Sequence, residues 1–143
     1  MSWQLHAQLA NDTRIAGDLP LSRVLVMNDR HYPWVILVPR VADIREIYEL
    51  GAMEQQQLLQ ESSRLSMFLM ERFQGDKMNV AALGNMVPQL HVHHIVRFKN
   101  DLAWPQPVWG KAPAEAYPES ELSDFCSQLA TGLKLQPAIS SSI

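Results

Sequence analysis

The sequence predicts an α+β fold in which helices pack on an antiparallel sheet, within a single domain that spans residues 1–143. Short runs of β-branched and apolar residues, separated by turn residues, are typical of antiparallel strands. A longer segment between those runs carries leucines at helical spacing. The length of 143 residues and the apolar content of 47% are sufficient for one hydrophobic core.

The first half of the chain is predicted to contain a hairpin. Residues 3–9 are a short helical or extended segment. Residues 22–28 are a strand of β-branched and apolar residues, and residues 34–38 are a second strand whose continuous apolar character indicates burial on both faces. Turn residues at 29–33 join the two strands, so we expect them to pair with each other.

A long helix and two further strands are predicted for the middle of the chain. Asp43 is a suitable cap for a short helix that ends at residue 50. Residues 54–73 form the long helix, whose apolar stripe consists of Leu58, Leu65, Leu69 and Phe73. Residues 77–83 are a third strand, and residues 89–98 are a fourth. A sheet of three or four strands follows from these predictions.

The character of the chain changes after residue 100. Four prolines between residues 105 and 118 disfavour regular structure, and a final amphipathic helix is predicted for residues 119–133. Trp104 and Trp109 lie in the proline-rich part. We expect this segment to be a strap that covers an edge of the sheet, with the indoles as apolar anchors.

The fourth predicted strand carries the residues best suited to chemistry. Alternation along an extended strand turns Gln89, His91 and His93 toward one face, whereas His94 points to the other. Two steps of a strand span about 6.6 Å, so both imidazoles of the first face can reach one phosphate-sized group. A strand holds side chains more rigidly than a loop does, and catalysis depends on such rigidity.

Composition excludes several classes of function. The formal net charge is −3, with 12 basic against 15 acidic residues, so the chain lacks the positive surface with which proteins bind long nucleic acids. No apolar run is long enough to span a membrane, and the first twenty residues do not resemble a signal peptide, so we expect a cytoplasmic protein. Cys126 is the only cysteine, which rules out an intrachain disulfide or a paired-cysteine metal site.

The segment from Gly84 to Arg97 resembles the signature of the histidine triad (HIT) superfamily of nucleotide hydrolases and transferases. The superfamily pattern is three histidines that alternate with apolar residues after a glycine turn, and the resemblance covers about residues 15–110. Within the superfamily, the chain looks most like small bacterial diadenosine tetraphosphate hydrolases. It departs from the pattern where Gln89 stands for the first histidine and where Pro33-Trp34 stands for a Gly-His pair.

The resemblance implies a covalent mechanism. His91 is the middle histidine and would attack an α-phosphorus, which gives a nucleotidyl-histidine that water hydrolyses. The backbone carbonyl of Gln89 is the family-like acceptor for the other ring nitrogen of His91. His93 would bond a phosphate oxygen or protonate the leaving group, and the Gln89 amide would support the pair.

Binding roles and partners also follow from the resemblance. Asn79, Gly84 and Asn85 would hold phosphate oxygens, and Asn28 would bond the ribose hydroxyls. The mechanism requires no cofactor and no metal. The partners implied are an adenine nucleotide and a second copy of the chain in a homodimer whose sheets join, and the strap with Trp104 and Trp109 would then border the nucleotide pocket.

Other interpretations of the same residues are open. The chain could bind nucleotides with little catalysis, because histidine is absent at the positions of Gln89 and Trp34. Two histidines on one strand face are also typical of zinc ligands, although zinc needs a third or fourth ligand, for which His31, His94 and Asp101 are the nearby candidates. A purely structural histidine pair is the remaining alternative.

Overall fold

A computed structural model describes residues 2–139, and it confirms the α+β fold. Five antiparallel strands form one sheet in the order β1-β2-β3-β5-β4. The elements are α1 Ala7–Asp12, β1 Thr13–Asp18, β2 Ser22–Met27, β3 Trp34–Pro39, a 3₁₀ turn Ile47–Glu49, α2 Ala52–Phe73, β4 Lys77–Ala81, β5 Val92–Arg97 and α3 Glu119–Gly132.

One face of the sheet packs against the two long helices. Leu65 and Leu69 of α2 and Leu129 of α3 are fully buried against Val35 and Val96 of the sheet. Each fully buried leucine contributes about 1.5–3 kcal/mol relative to exposure. This layer is the main hydrophobic core, and it holds the central strands rigidly from behind.

The opposite face of the sheet is covered by shorter segments. Trp34, Ile36 and Ile95 form a second apolar cluster with Leu9 of α1 and Val108 of the proline-rich strap. These covering segments leave a cavity between them, whereas the helices on the first face pack along its length. The cavity on this face adjoins Trp34 of the central strand β3.

Strand β1 was not predicted. It pairs with β2 through a bulge between Ile15 and Gly17, and the charged residues Arg14 and Asp18 hide its apolar alternation. Gly17 is required there, because a Cβ would approach the backbone oxygen of Gln136 to 2.8 Å. A strand of this kind is recognisable only from its partner.

Two predicted boundaries were wrong. The helix predicted up to residue 50 is only the turn Ile47–Glu49, because Asp43 has a positive φ of 60°, which does not fit a helix cap in extended conformation. The fourth predicted strand begins at Val92 instead of residue 89. Gln89 and His91 therefore lie in the segment that leads into the strand, because Gln89 and Leu90 bond to neighbouring loops and do not join the sheet ladder.

Within residues 2–139, no helix has both the length and the apolar character needed to cross a membrane.

Candidate active site

His91 and His93 lie side by side on the face of the sheet that the shorter segments cover. Their ring centroids are 4.9 Å apart, and the rings are nearly perpendicular at 70°. Only 7% of His91 and 5% of His93 is exposed. The predicted juxtaposition is therefore present, although only His93 of the two lies within strand β5.

His91 is oriented by the backbone immediately before it. Its Nδ1 lies 2.7 Å from the carbonyl oxygen of Gln89, the acceptor that the family resemblance indicated. A carbonyl can only accept a hydrogen bond, so Nδ1 carries a proton, and in the neutral ring Nε2 keeps its lone pair. An imidazole in this tautomer can act as a nucleophile through Nε2.

His93 has the opposite tautomer. The indole Nε1 of Trp34 donates to His93 Nδ1 at 3.0 Å, and an indole N–H cannot accept, so the proton of the neutral ring lies on Nε2. Burial, with a smaller effect of the neighbouring His91 and His94, lowers the pKa of His93 to about 3. At neutral pH His93 therefore presents an uncharged N–H.

His94 is structural. It lies on the other face, where its Nδ1 donates to the Val92 carbonyl at 3.0 Å and its Nε2 accepts from the Ser62 hydroxyl at 2.7 Å. Burial lowers the pKa of His94 to about 4. Both ring nitrogens are satisfied within the main core, so His94 takes no part in the chemistry beside His91.

Two tryptophans contact His93 of the pair. The Trp109 ring centroid lies 5.1 Å from that of His93 and 5.7 Å from that of Trp34, each pair edge to face. Trp109 is 38% exposed and belongs to the proline-rich strap. Through Trp109 the strap therefore packs on the inner strands β3 and β5, not on an edge strand of the sheet, and it supplies a wall of the site.

A cavity of about 430 Å³ adjoins this aromatic wall. Its lining includes Trp34 and Trp109, and also Asn28, Asp29 and Asp12 at its polar side. The volume lies in the range of small-ligand sites, and the combination of aromatic rings with a few polar groups is typical of them. The cavity can hold a flat aromatic group whose polar substituents reach the end of β2.

The predicted binding residues take different positions. Asn28 lines the cavity at the end of β2, and its Oδ1 accepts from the Tyr117 backbone N–H at 2.9 Å. Gly84 and exposed Asn85 lie in the loop between β4 and His91, where Gly84 has a φ of +81°. This conformation is unfavourable for residues with a Cβ, so the loop shape depends on the glycine.

Asn79 is bound to a structural network. Its Oδ1 accepts from Arg97 Nη1 at 2.8 Å, while Asp101 binds the same guanidinium through both carboxylate oxygens, at 2.8 and 3.0 Å. Arg97 is only 1% exposed. Its buried charge needs these acceptors, so Asn79 has a stabilising role whether or not it touches a ligand.

Gln89 directs its side chain away from the histidine pair. Its Oε1 accepts from the His6 backbone N–H at 2.9 Å, and its Nε2 donates to the Gln4 carbonyl at 2.8 Å. The Gln89 backbone contacts His91, whereas the Gln89 amide holds the N-terminal segment.

Sequence reasoning did not place Trp34 in the site. The position was noted only as a departure from the family pattern, within a strand of continuous apolar residues. The available signal was the pairing register: Trp34 lies opposite Ile95, two residues from His93 on the same face. That signal requires knowledge of which strands pair.

Among residues 2–139, no three or more His, Cys, Asp or Glu side chains are grouped closely enough to hold a metal ion. The candidates for a third ligand are engaged elsewhere. His31 contacts Asp29 and Glu115, and Asp101 binds Arg97.

Known proteins are similar to this chain in sequence and in fold. The HIT domain family matches residues 8–100. A histidine triad protein from Marinobacter aquaeolei VT8 is 58% identical, with a TM-score of 0.91, over 94% of this chain and 98% of that one. A histidine triad protein from Bradyrhizobium japonicum is 50% identical, with a TM-score of 0.90, over 92% and 98% of the two chains. One from Sinorhizobium meliloti 1021 is 41% identical, with a TM-score of 0.88, over 91% and 96%. No curated protein matches the chain.

Proposed function

Because the chain belongs to the histidine triad (HIT) domain family, whose members are generally nucleotide-binding hydrolases or transferases, we propose that it cleaves adenine nucleotides or dinucleotides at the α-phosphate through His91. One observation carries the proposal. The Gln89 carbonyl holds the proton of His91 on Nδ1, so that the lone pair of Nε2 is available beside the N–H of His93.

The reaction has two displacements. His91 Nε2 forms a bond to the α-phosphorus as the bond from phosphorus to the leaving group breaks, and the electron pair of that bond departs with the leaving group. Water then attacks the same phosphorus, the bond between phosphorus and Nε2 breaks, and the nucleoside monophosphate is released. A second nucleophile in place of water would make the reaction a transfer.

His93 acts in this proposal as a hydrogen-bond donor. Its Nδ1 is occupied by Trp34, and its low pKa keeps the ring neutral, so loss of the Nε2 proton would leave an imidazolate. An N–H aimed at a developing oxyanion stabilises it without proton transfer. A polyphosphate leaves readily as an anion, whereas an amine needs a proton. The site therefore favours dinucleoside polyphosphates over phosphoramidates.

The cavity beside Trp34 and Trp109 is the proposed nucleoside pocket. Asn28 lines it at the end of β2, which suits a bond to the ribose hydroxyls. Gly84 and Asn85 would hold phosphate oxygens in the loop before His91. Asn79 would contribute only its amide nitrogen, because its oxygen faces Arg97. The preference for adenine rests on the resemblance to diadenosine tetraphosphate hydrolases.

We also propose a single domain over residues 1–143 that forms a homodimer. Strand β4 is at the edge of the sheet, and Val80 in it is 52% exposed. Leu59 and Met67 of α2 are 68% and 73% exposed. An unpaired edge beside apolar side chains is suited to pairing with a second copy. The cytoplasmic location stays a prediction from the sequence.

The experiment that tests the function is mass spectrometry of the intact protein after an acid-free quench. Native protein is mixed with diadenosine tetraphosphate or adenosine phosphoramidate and compared with His91→Asn, which keeps an N–H for the Gln89 carbonyl but lacks the nucleophile. His94→Asn, which changes a histidine on the other face, is the control. We expect a nucleotide-sized mass gain on native protein and on the control only.

Two results would contradict the proposal. Full turnover by His91→Asn would exclude covalent catalysis at His91. Tight binding of adenosine monophosphate with no adduct and no turnover on any substrate would instead indicate a nucleotide-binding module.

A further inference from the structure

We infer that Gln89, held by the backbone of the N-terminal segment, residues 2–6, positions His91 for attack. The inference rests on the proposed function, because it assigns a supporting role to a residue beside the proposed nucleophile. Gln89 is a positioning residue in this account.

The link between the segment and His91 consists of three hydrogen bonds through one residue. The Gln89 side-chain amide pairs with the backbone as a neighbouring strand would: it accepts from His6 N–H at 2.9 Å and donates to the Gln4 carbonyl at 2.8 Å. Its own backbone carbonyl accepts from His91 Nδ1 at 2.7 Å. Any rotation of the peptide plane after Gln89 therefore turns the acceptor that orients the nucleophile.

A further bond restrains the same peptide plane. The Leu90 backbone N–H lies in the plane of the Gln89 carbonyl and donates to the Ile44 carbonyl at 2.9 Å. Val87, before this plane, is buried in the apolar cluster against which Trp3 and Leu5 pack. The Ile44 bond therefore holds the Leu90 side of the plane, and the Gln89 amide anchors the residue that bears the carbonyl.

The N-terminal segment also links the loop that bears Gln89 to the proposed nucleoside pocket. His6 caps α1, since its Nδ1 accepts from the Gln8 backbone N–H. Helix α1 ends at Asp12, which lines the cavity beside Trp34 and Trp109. One short stretch of chain is thus bonded to the nucleophile loop at its start and reaches the nucleoside pocket at its end.

Two pairs of variants test the link. Gln89→Met keeps the side-chain length but removes the amide, and Gln4→Ala is its control, because only the Gln4 carbonyl is used and its side chain is exposed. His6→Pro removes the N–H that binds Gln89 and suits the φ of −57° at this position, whereas His6→Ser keeps the N–H and a capping oxygen.

We expect Gln89→Met and His6→Pro to slow formation of the covalent adduct in single turnover by roughly 10- to 100-fold, since a displacement of 1 Å can cost about 10²-fold. KM should change less than about twofold, because no substrate contact is lost. Nitrogen-15 spectra of the histidine side chains should show the Nδ1 proton of His91 exchanging between tautomers in these two variants and not in Gln4→Ala or His6→Ser.

Native-like adduct rates and an unchanged His91 tautomer in both Gln89→Met and His6→Pro would overturn the inference. A rise in KM with unchanged adduct rate would also overturn it, because that result assigns the segment to substrate binding. If native protein forms no adduct at all, the function proposal fails. The tautomer of His91 still reports the positioning in that case, so the two failures are distinguishable.

Discussion

Replacing Trp34 with phenylalanine removes the indole N–H that donates to His93 and leaves an aromatic ring in its place. That N–H bonds the lone pair of His93 Nδ1 at 3.0 Å, and the bond exists only while Nδ1 is unprotonated. It therefore stabilises the neutral ring, and it also stabilises the tautomer whose proton is on Nε2. Both effects are lost in Trp34→Phe.

The magnitude follows from one hydrogen bond. A bond of this kind contributes about 0.5–1.5 kcal/mol, and 1.36 kcal/mol corresponds to one pKa unit. The pKa of His93 should rise from about 3 by roughly half a unit to one unit. It stays below its usual range, because burial is the larger cause of the shift. The ratio of the two neutral tautomers should fall by about fivefold for a loss of about 1 kcal/mol.

The measurement is a pH titration of side-chain nitrogen-15 shifts, together with the rate of adduct formation. We expect a partly mixed tautomer of His93 and a severalfold slower rate in Trp34→Phe. Trp109→Phe is the matched control, since Trp109 contacts His93 through its ring alone. If native His93 carries its proton on Nδ1, or if Trp34→Phe leaves both pKa and tautomer unchanged, the assignment of His93 as a fixed donor is refuted.

Three further predictions concern stability and the loop. His93 and His94 stay neutral in the folded protein but titrate near pH 6.5 in the unfolded chain, so the unfolded state binds more protons at acidic pH. As the pH is lowered from about 6.5, the free energy of unfolding should therefore decrease by up to about 1.4 kcal/mol per pH unit for each histidine. Urea unfolding between pH 7.5 and 4.5 measures the slope, and a slope that His94→Asn does not flatten would contradict the assignment. Asn79→Ala should lower the free energy of unfolding in urea by about 1–3 kcal/mol, because it leaves Arg97 Nη1 without an acceptor. KM should be nearly unchanged. A large rise in KM at unchanged stability would indicate that Asn79 contacts a phosphate instead. Gly84→Ala should lower the free energy of unfolding by about 1–2 kcal/mol, because φ at this position is +81°, and it should slow adduct formation. A native free energy of unfolding together with a native adduct rate would show that the loop shape does not matter.

Residue patterns along the chain predicted the helices and strands whose boundaries are marked in the sequence itself. Helix α2 ends at Phe73, as predicted, because its leucine stripe and the following Gly75 mark the boundary in the sequence itself. Strands β2 and β3 likewise lie within one or two residues of their predictions. Strand β1 was missed, since Arg14 and Asp18 interrupt its apolar pattern and only pairing with β2 defines it.

The same distinction applies to the candidate site, where residue spacing predicted some features and tertiary contacts decided the others. The spacing of His91 and His93 predicts that the two imidazoles lie together, and they do, even though His91 precedes the strand. The directions of the other side chains were not predictable. Gln89 was predicted to face the histidine pair, but its amide binds the N-terminal segment, which is more than 80 residues away in sequence.

The sequence by itself determined the class of fold, the helical and strand patterns of the middle of the chain, and the family to which the histidine motif belongs. These depend on residue type and on spacing along the chain, which a sequence displays directly. Only the tertiary structure decided the tautomers of His91 and His93, the place of Trp34 and Trp109 beside them, and the use of Gln89 and Asn79 in structural bonds. Each of these depends on which atom of a distant residue meets a given donor or acceptor, and a hydrogen bond is made or lost within a few tenths of an ångström.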